Sequence, residues 1–101
     1  MKNRDDILGL LSRHQEEIKD YGVIRCGLFG SYVRNEASDN SDIDILVEFY
    51  PDKKSYRNYI RLVFFLEDLL GMPVDLVTKE SLSPYIGPHI MREVKYAPFS
   101  A

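Results

Sequence analysis

From about Asn3 to Asp20, apolar residues Ile7, Leu10, Leu11 and Ile18 recur at helical spacing, with His14 on the same stripe. This pattern predicts an amphipathic helix. Asn3 stands where an N-cap belongs, and Asp5 and Asp6 suit the positive end of the helix dipole. Gly22 falls where a glycine stop is expected. Val23 to Phe29 is an apolar run in which only Arg25 is charged, so it reads as a strand covered on both faces. Gly30-Ser31 ends that strand. Tyr32 to Ala37 reads as a short helix that starts at the serine or as a loop, and Glu36 to Ser41 as an exposed polar loop.

Asp42 to Phe49 predicts a second strand. Tyr50 to Lys54 is a turn around Pro51. Ser55 then caps a helix over Tyr56 to Leu70, with Tyr56, Ile60, Val63, Phe64 and Leu70 at helical spacing and Gly71 as its stop. Pro73 to Val77 is a third strand, apolar except for Asp75. Ser81 to Tyr85 reads as a turn or short helix, and Gly87-Pro88 opens a last short helix. From Ala97 onward the chain is expected to bury nothing. Strands alternate with helices, which predicts an α/β or α+β sandwich with helices over a small sheet. The helix after the second strand is long enough for a crossover, and the first two strands can also pair as hairpin neighbours.

Composition narrows the function classes. The chain has 101 residues, 45% of them apolar and 29% charged, which predicts one globular domain over residues 1–101. The net charge is -3 and no basic stripe stands out, so nucleic acid is not the expected partner. No apolar run approaches the roughly 20 residues of a membrane span, and the N-terminal stretch has no signal-peptide core. Cys26 is the single cysteine, so no intrachain disulfide forms and a reducing, cytoplasmic setting is expected.

The candidate chemistry lies between Cys26 and Phe49, with a third contribution from Asp75. Asp42 and Asp44 are two residues apart, so on a strand they share a face. Like charges side by side repel, and a divalent cation removes the conflict. Their hard oxygens suit Mg²⁺, which takes its remaining ligands from phosphates and water. Gly30 lets backbone approach a phosphate closely, a helix starting there would present free N–H groups, and Ser31 adds a hydroxyl. Asp75 is a lone carboxylate in an apolar strand, costly unless paired or metal-bound. If that strand lies beside the second, three carboxylates meet. Such a trio can hold two metals about 3.5–4 Å apart for phosphoryl transfer.

Gly30-Ser31, ten intervening residues, then Asp42-Ile43-Asp44 resembles the signature of the polymerase-β-like nucleotidyltransferases. The likeness is to the minimal nucleotidyltransferase (MNT) branch, in which glycine-serine is followed by arginine (here Arg34) and then Ser-Asp-x-Asp (Ser41, Asp42, Asp44). Val74-Asp75-Leu76-Val77 has the form of the strand carrying the third carboxylate, and the likeness runs from about Asp6 to Tyr96. Asn35 departs from the glycine that many relatives carry after the arginine.

The resemblance implies an α+β nucleotidyltransferase fold with a small mixed sheet, using Mg²⁺, two ions, and ATP as donor. Asp42 and Asp44 would bind metal. Asp75 would help hold the second ion and activate the acceptor hydroxyl. Gly30 and Ser31 would bind the triphosphate, with Arg34 beside them. Proteins of this branch are often antitoxins that transfer AMP to a tyrosine of an α-helical HEPN toxin. The toxins' own signature, arginine followed after four to six residues by histidine, is absent here. The chain is therefore expected to be the modifier. It has no room for a domain that grips the acceptor, so the acceptor surface is expected on another protein.

Blander readings stand beside these. An isolated Asp-x-Asp matches by chance, and only the glycine-serine spacing and Asp75 raise it above that level. Asp75 as a surface residue on an edge strand remains an alternative. Arg34 is equally read as a solvated or ion-paired residue. Cys26 is read as a small core residue, His14 as a partly buried histidine on the helix's inner stripe, His89 as surface and Arg57/Arg61 as a solvated face. Tyr50, Tyr56, Tyr59, Tyr85 and Tyr96 are expected mostly in the core, with interface anchoring as the alternative. Two rival functions keep part of this scheme: adenylyl transfer to a small-molecule hydroxyl, and an idle site in a protein that blocks a toxin by binding alone. Buried, metal-free carboxylates would cost stability, which argues against idleness.

Overall fold

The computed structural model describes residues 2–100. Helices α1 (Arg4–Arg13) and α2 (Gln15–Asp20) precede strand β1 (Val23–Phe29) and strand β2 (Ile43–Phe49). Helix α3 (Tyr56–Leu70), strand β3 (Val74–Thr78), helix α4 (Gly87–Glu93) and the short strand β4 (Lys95–Tyr96) follow. The sheet order is β3-β2-β1-β4. β1 runs antiparallel to β2 and to β4, while β2 and β3 are parallel. A hairpin-type pair and a helical crossover therefore coexist in one mixed sheet, and the class is α+β.

Local sequence explains most boundaries. Asn3 caps α1 in a reciprocal box with Asp6. Ser55 accepts from the Asn58 amide at the start of α3, and Gly71 ends that helix in the left-handed conformation at φ 69°. The expected single N-terminal helix is instead two, broken at His14, whose backbone is not helical. There the Gln15 side chain donates to the Ser12 carbonyl at 3.0 Å.

The main core lies between one face of the sheet and α1, α2 and α3. Ile7, Leu11, Ile18, Leu62, Leu66 and Leu70 pack with Cys26, Leu28, Ile43, Ile45 and Val47. The buried stripe of α3 is thus Leu62, Leu66 and Leu70. The stripe read from sequence is rotated from it, because Tyr56 and Phe64 are 78% and 60% exposed. Bulk and apolarity alone do not say which of two overlapping stripes meets the sheet. The tyrosines correct the expectation in the same way: Tyr50, Tyr56 and Tyr85 are exposed. A second, smaller cluster forms on the opposite face, where Ile90 of α4 meets Phe29 and Leu46.

Double coverage of β1 holds for Cys26 to Phe29 but not for Ile24, which is exposed. The register with β2 shifts between Val23 and Arg25, and this bulge turns Ile24 outward. The segment after β4 also departs from expectation. Ala97 is buried, its N–H donates to the Cys26 carbonyl at 2.9 Å, and Phe99 packs against the main core. Lys19 Nζ lies over the Phe99 ring, and the Ser12 hydroxyl donates to the Pro98 carbonyl. A two-residue strand and one aromatic side chain carry too little periodicity to be read from sequence. Among the described residues, no helix is long and apolar enough to cross a membrane.

Phe99→Ala tests the docked tail. The ring is partly buried, so the expected loss is about 1–2 kcal/mol, below the cost of removing a fully enclosed ring. Urea denaturation reads it, and an unchanged midpoint would mean that the tail carries no load.

Candidate active site

Asp44 is the second residue of β2 and Asp75 the second residue of β3, and the two are directly paired in the parallel register. Paired positions on neighbouring strands share a face. Ile43 and Ile45 point into the main core, so Asp44 emerges on the side where Leu46 meets α4. Asp42 precedes the strand instead of starting it, and is exposed. Asp75 lies on the edge strand and is exposed as well. The expectation of a charge enclosed in an apolar strand is therefore corrected. β3 borders solvent, and the blander reading of Asp75's location is the accurate one, even though its neighbour is Asp44.

Among the described residues, no group of three His, Cys, Asp or Glu side chains is gathered closely enough to hold a metal ion. The aspartates are adjacent without being closed around one point, as expected of like charges that repel. Their mutual influence is nevertheless strong at Asp44. Burial pushes its carboxyl pKa up, the charges of Asp75 and then Asp42 push it further, and it reaches about 6 against an ordinary 3.8, with Arg34 opposing. A site built only of carboxylate oxygens, carrying more negative charge than it neutralises, fits the donor chemistry of Mg²⁺.

The bend at Gly30 fits against this pair. Phe29, the last residue of β1, is the register partner of Asp44, so the next residue turns directly beside the carboxylate. Gly30 has φ 76°, a conformation that L side chains rarely adopt, and a Cβ there would collide with Asp44 Oδ2. Ser31 follows, partly exposed.

Of the two forms expected over Tyr32 to Ala37, helix or loop, the chain takes the second. A single 3₁₀ turn spans Gly30–Tyr32, and the chain turns again until Asn35. The Val33 and Arg34 amides both donate to the Gly30 carbonyl, and the Glu36 amide donates to the Ser31 carbonyl. Asn35 has φ 59°, the left-handed region, which explains why glycine suits this position and why asparagine replaces it without breaking the turn. Among the described residues no α-helix starts at the bend, so the free N–H groups expected of a helix start are not presented there. The Gly30 N–H already donates to Glu93 Oε1 at 2.7 Å.

Arg34 is likewise held by carboxylates. Its Nη1 donates to Glu93 at 2.9 and 3.1 Å, and its Nε donates to Glu36 at 3.2 Å. Glu93 is the residue that sequence reasoning missed. It lies 63 positions from Gly30, and nothing in its local sequence marks it. Cys26 is inert in this setting: burial raises its thiol pKa to about 12. His14 is partly buried against Glu17, and His89 is mostly exposed.

A small mixed sheet with helices on both faces, carrying carboxylates on neighbouring strands beside a glycine-serine bend, is the architecture of the nucleotidyltransferase fold. The chain belongs to the nucleotidyltransferase domain family, whose model matches residues 11–99. It is a nucleotidyltransferase, similar to the protein adenylyltransferase MntA of Thermococcus cleftensis, with 44% identity over 97 residues covering 95% of this chain and 97% of the relative. Among solved structures it resembles one described as a minimal nucleotidyltransferase, with TM-score 0.69, 35% identity and coverage of 91% of this chain and 86% of that one. A toxin–antitoxin structure with AMP-PNP superimposes with TM-score 0.69 at 28% identity, covering 98% of this chain and 75% of that one.

Two substitutions check the geometry. Gly30→Ala should lower stability by about 1–3 kcal/mol, because the added Cβ meets both backbone strain and the Asp44 carboxylate; an unchanged melting temperature would contradict the close approach. Asp44→Asn should stabilise the metal-free protein. The folded-state pKa of Asp44 is raised, so its ionised form opposes folding above about pH 6. Below the ordinary carboxylate pKa the group is neutral in both states and that opposition vanishes. A gain of about 1 kcal/mol at pH 7, discounted for the water-facing part of the side chain, should shrink toward zero at acid pH. Melting curves with a chelator present read it, and a loss of stability at pH 7 would refute it.

Proposed function

We propose that this chain transfers AMP from ATP to a hydroxyl, a tyrosine, of a partner HEPN-type toxin and so acts as its antitoxin in the cytoplasm. The single observation that carries the reading is the direct pairing of Asp44 with Asp75 beside the Gly30-Ser31 bend. Support for a protein acceptor comes from relatives named as protein adenylyltransferases, and from similarity to a toxin–antitoxin structure with AMP-PNP. Similarity to a further toxin–antitoxin structure, MntA-HepT, at 26% identity, points the same way.

In this reading Asp42, Asp44 and Asp75 would hold Mg²⁺, two ions. When bound, the metal neutralises charge on the phosphates and stabilises the attacking and leaving oxygens. The chain's own residues do the rest. The Gly30-Ser31 bend seats the triphosphate tail, with Arg34 alongside. Asp75, open to solvent on the edge strand, accepts the proton of the incoming hydroxyl. The acceptor oxygen forms a bond to the α-phosphorus as the bond to pyrophosphate breaks. An exposed Asp75 on the edge strand suits an acceptor that arrives on another protein, beside the points where Tyr59 and Glu67 of α3 bond the Leu76 carbonyl and the Val74 amide.

Purified chain, ATP and Mg²⁺ incubated with the protein encoded by the neighbouring gene should increase that partner's mass by one or more AMP units. Asp42→Asn with Asp44→Asn should abolish the gain while the circular dichroism spectrum stays native. Neutralisation of a co-expressed toxin by this double variant would favour blocking by binding alone. A wild-type chain that adds no mass at saturating ATP would refute the transfer.

A further inference from the structure

Glu93 closes α4, an element that carries none of the aspartates. Its carboxylate nevertheless holds two features of the bend together: the Gly30 amide at 2.7 Å and the Arg34 guanidinium at 2.9 Å. The side chain is only 17% exposed. Burial alone would raise its pKa, but the Gly30 amide and Arg34 outweigh burial and the net displacement is downward, so the group is ionised at neutral pH. His89 Nε2 adds a longer contact at 3.9 Å.

The backbone behind Glu93 is fixed. Ile90 packs against Phe29 and Leu46, and the Val94 amide donates to the Ile90 carbonyl at 2.9 Å. Gly27 has no side chain, and a Cβ there would press on Val94 at 2.7 Å, so the strand and the end of α4 come together closely. Arg34, by contrast, is exposed and long. Free in solvent, it would lose rotamer entropy on meeting a ligand. Glu93 removes much of that loss in advance. The recorded bonds use Nε and Nη1, and a guanidinium has further donors on Nη2. Arg34 is also close enough to Asp44 for its charge to be felt there, after burial, Asp75 and Asp42.

We propose that Glu93 is a positioning residue for the nucleotide donor: it clamps the Gly30 amide and aims the Arg34 guanidinium at the phosphates gathered beside Asp44. This rests on the reading of Gly30, Ser31 and Arg34 as the triphosphate's partners. Glu93 acts through those groups and need not touch the nucleotide.

Calorimetric titration with Mg²⁺–ATP tests it on the wild type, Glu93→Gln, Glu93→Ala, Arg34→Ala and the Arg34→Ala/Glu93→Gln pair. Glutamine keeps an oxygen for the Gly30 amide and removes the charge that orients Arg34. Glu93→Gln and Arg34→Ala should each weaken binding about tenfold, in the range seen when an outer partner of a binding group is lost. The double variant should be no weaker than Arg34→Ala alone, since the two losses are one loss. Glu93→Ala should be weaker than Glu93→Gln, because the Gly30 amide is released too; if it fails to fold, the glutamine and double variants carry the test. Unchanged affinity in Glu93→Gln, or full additivity in the double variant, overturns the inference and leaves AMP transfer standing. A wild type that binds Mg²⁺–ATP with this dependence but modifies no partner overturns the transfer and leaves the inference. A wild type that binds no Mg²⁺–ATP overturns both.

Discussion

Two carboxylates paired across parallel strands are the constraint that shapes this molecule. Asp44 and Asp75 face each other in register, and nothing in the sheet separates them. Such a pair opposes its own formation, so the surrounding scaffold must hold it in place. It does so with apolar contact on the far side of the strands: Ile43, Ile45 and Val47 anchor β2 in the main core, and Leu76 does the same for β3. The crossover through α3 is what makes the strands parallel and brings position 44 beside position 75. A hairpin at that point would reverse β3 and lose the match.

The conflict is also managed from the Gly30 side. Only a residue without a side chain can turn there, because the space a Cβ would occupy is already taken by the Asp44 carboxylate. Glycine at the bend and aspartate on the strand are therefore one requirement seen from two elements. Arg34 eases the charge at Asp44, while Glu93 restrains the arginine and itself pushes the Asp44 pKa up. The raised carboxyl pKa of Asp44 means that concentrating charge at this spot costs stability once the group is ionised.

Much of the architecture was legible in the sequence because its signals are local. The Asn3 and Ser55 caps, the Gly71 stop and the apolar runs of β1 and β2 each act within a few residues. The pairing of Asp44 with Asp75 was legible only as a condition on strand order, since each stands on an apolar strand but neither shows which strands are neighbours. The illegible features depend on contacts between distant parts of the chain. The bulge that turns Ile24 outward, the stripe of α3 that meets the sheet, the docking of Phe99 and the reach of Glu93 to Gly30 are all decided by tertiary packing. The short helix, one of the two forms expected after Ser31, failed on local grounds that the sequence did contain: Asn35 tolerates a left-handed backbone, and that conformation ends a right-handed turn.

The clamp at Gly30 spans 63 residues of sequence. Contacts that close so long a loop form late in folding, after the local helices and the β1–β2 hairpin have cut the entropy of closure. The bend is thus among the final parts to set, and it depends on a seven-residue helix and a two-residue strand for its grip. Short elements with few enclosed contacts open at lower free energy than the core. Partial unfolding should therefore begin at α4 and β4, releasing the turn at Gly30 while the three-helix layer still stands, so that the arrangement beside Asp44 loosens before the protein melts.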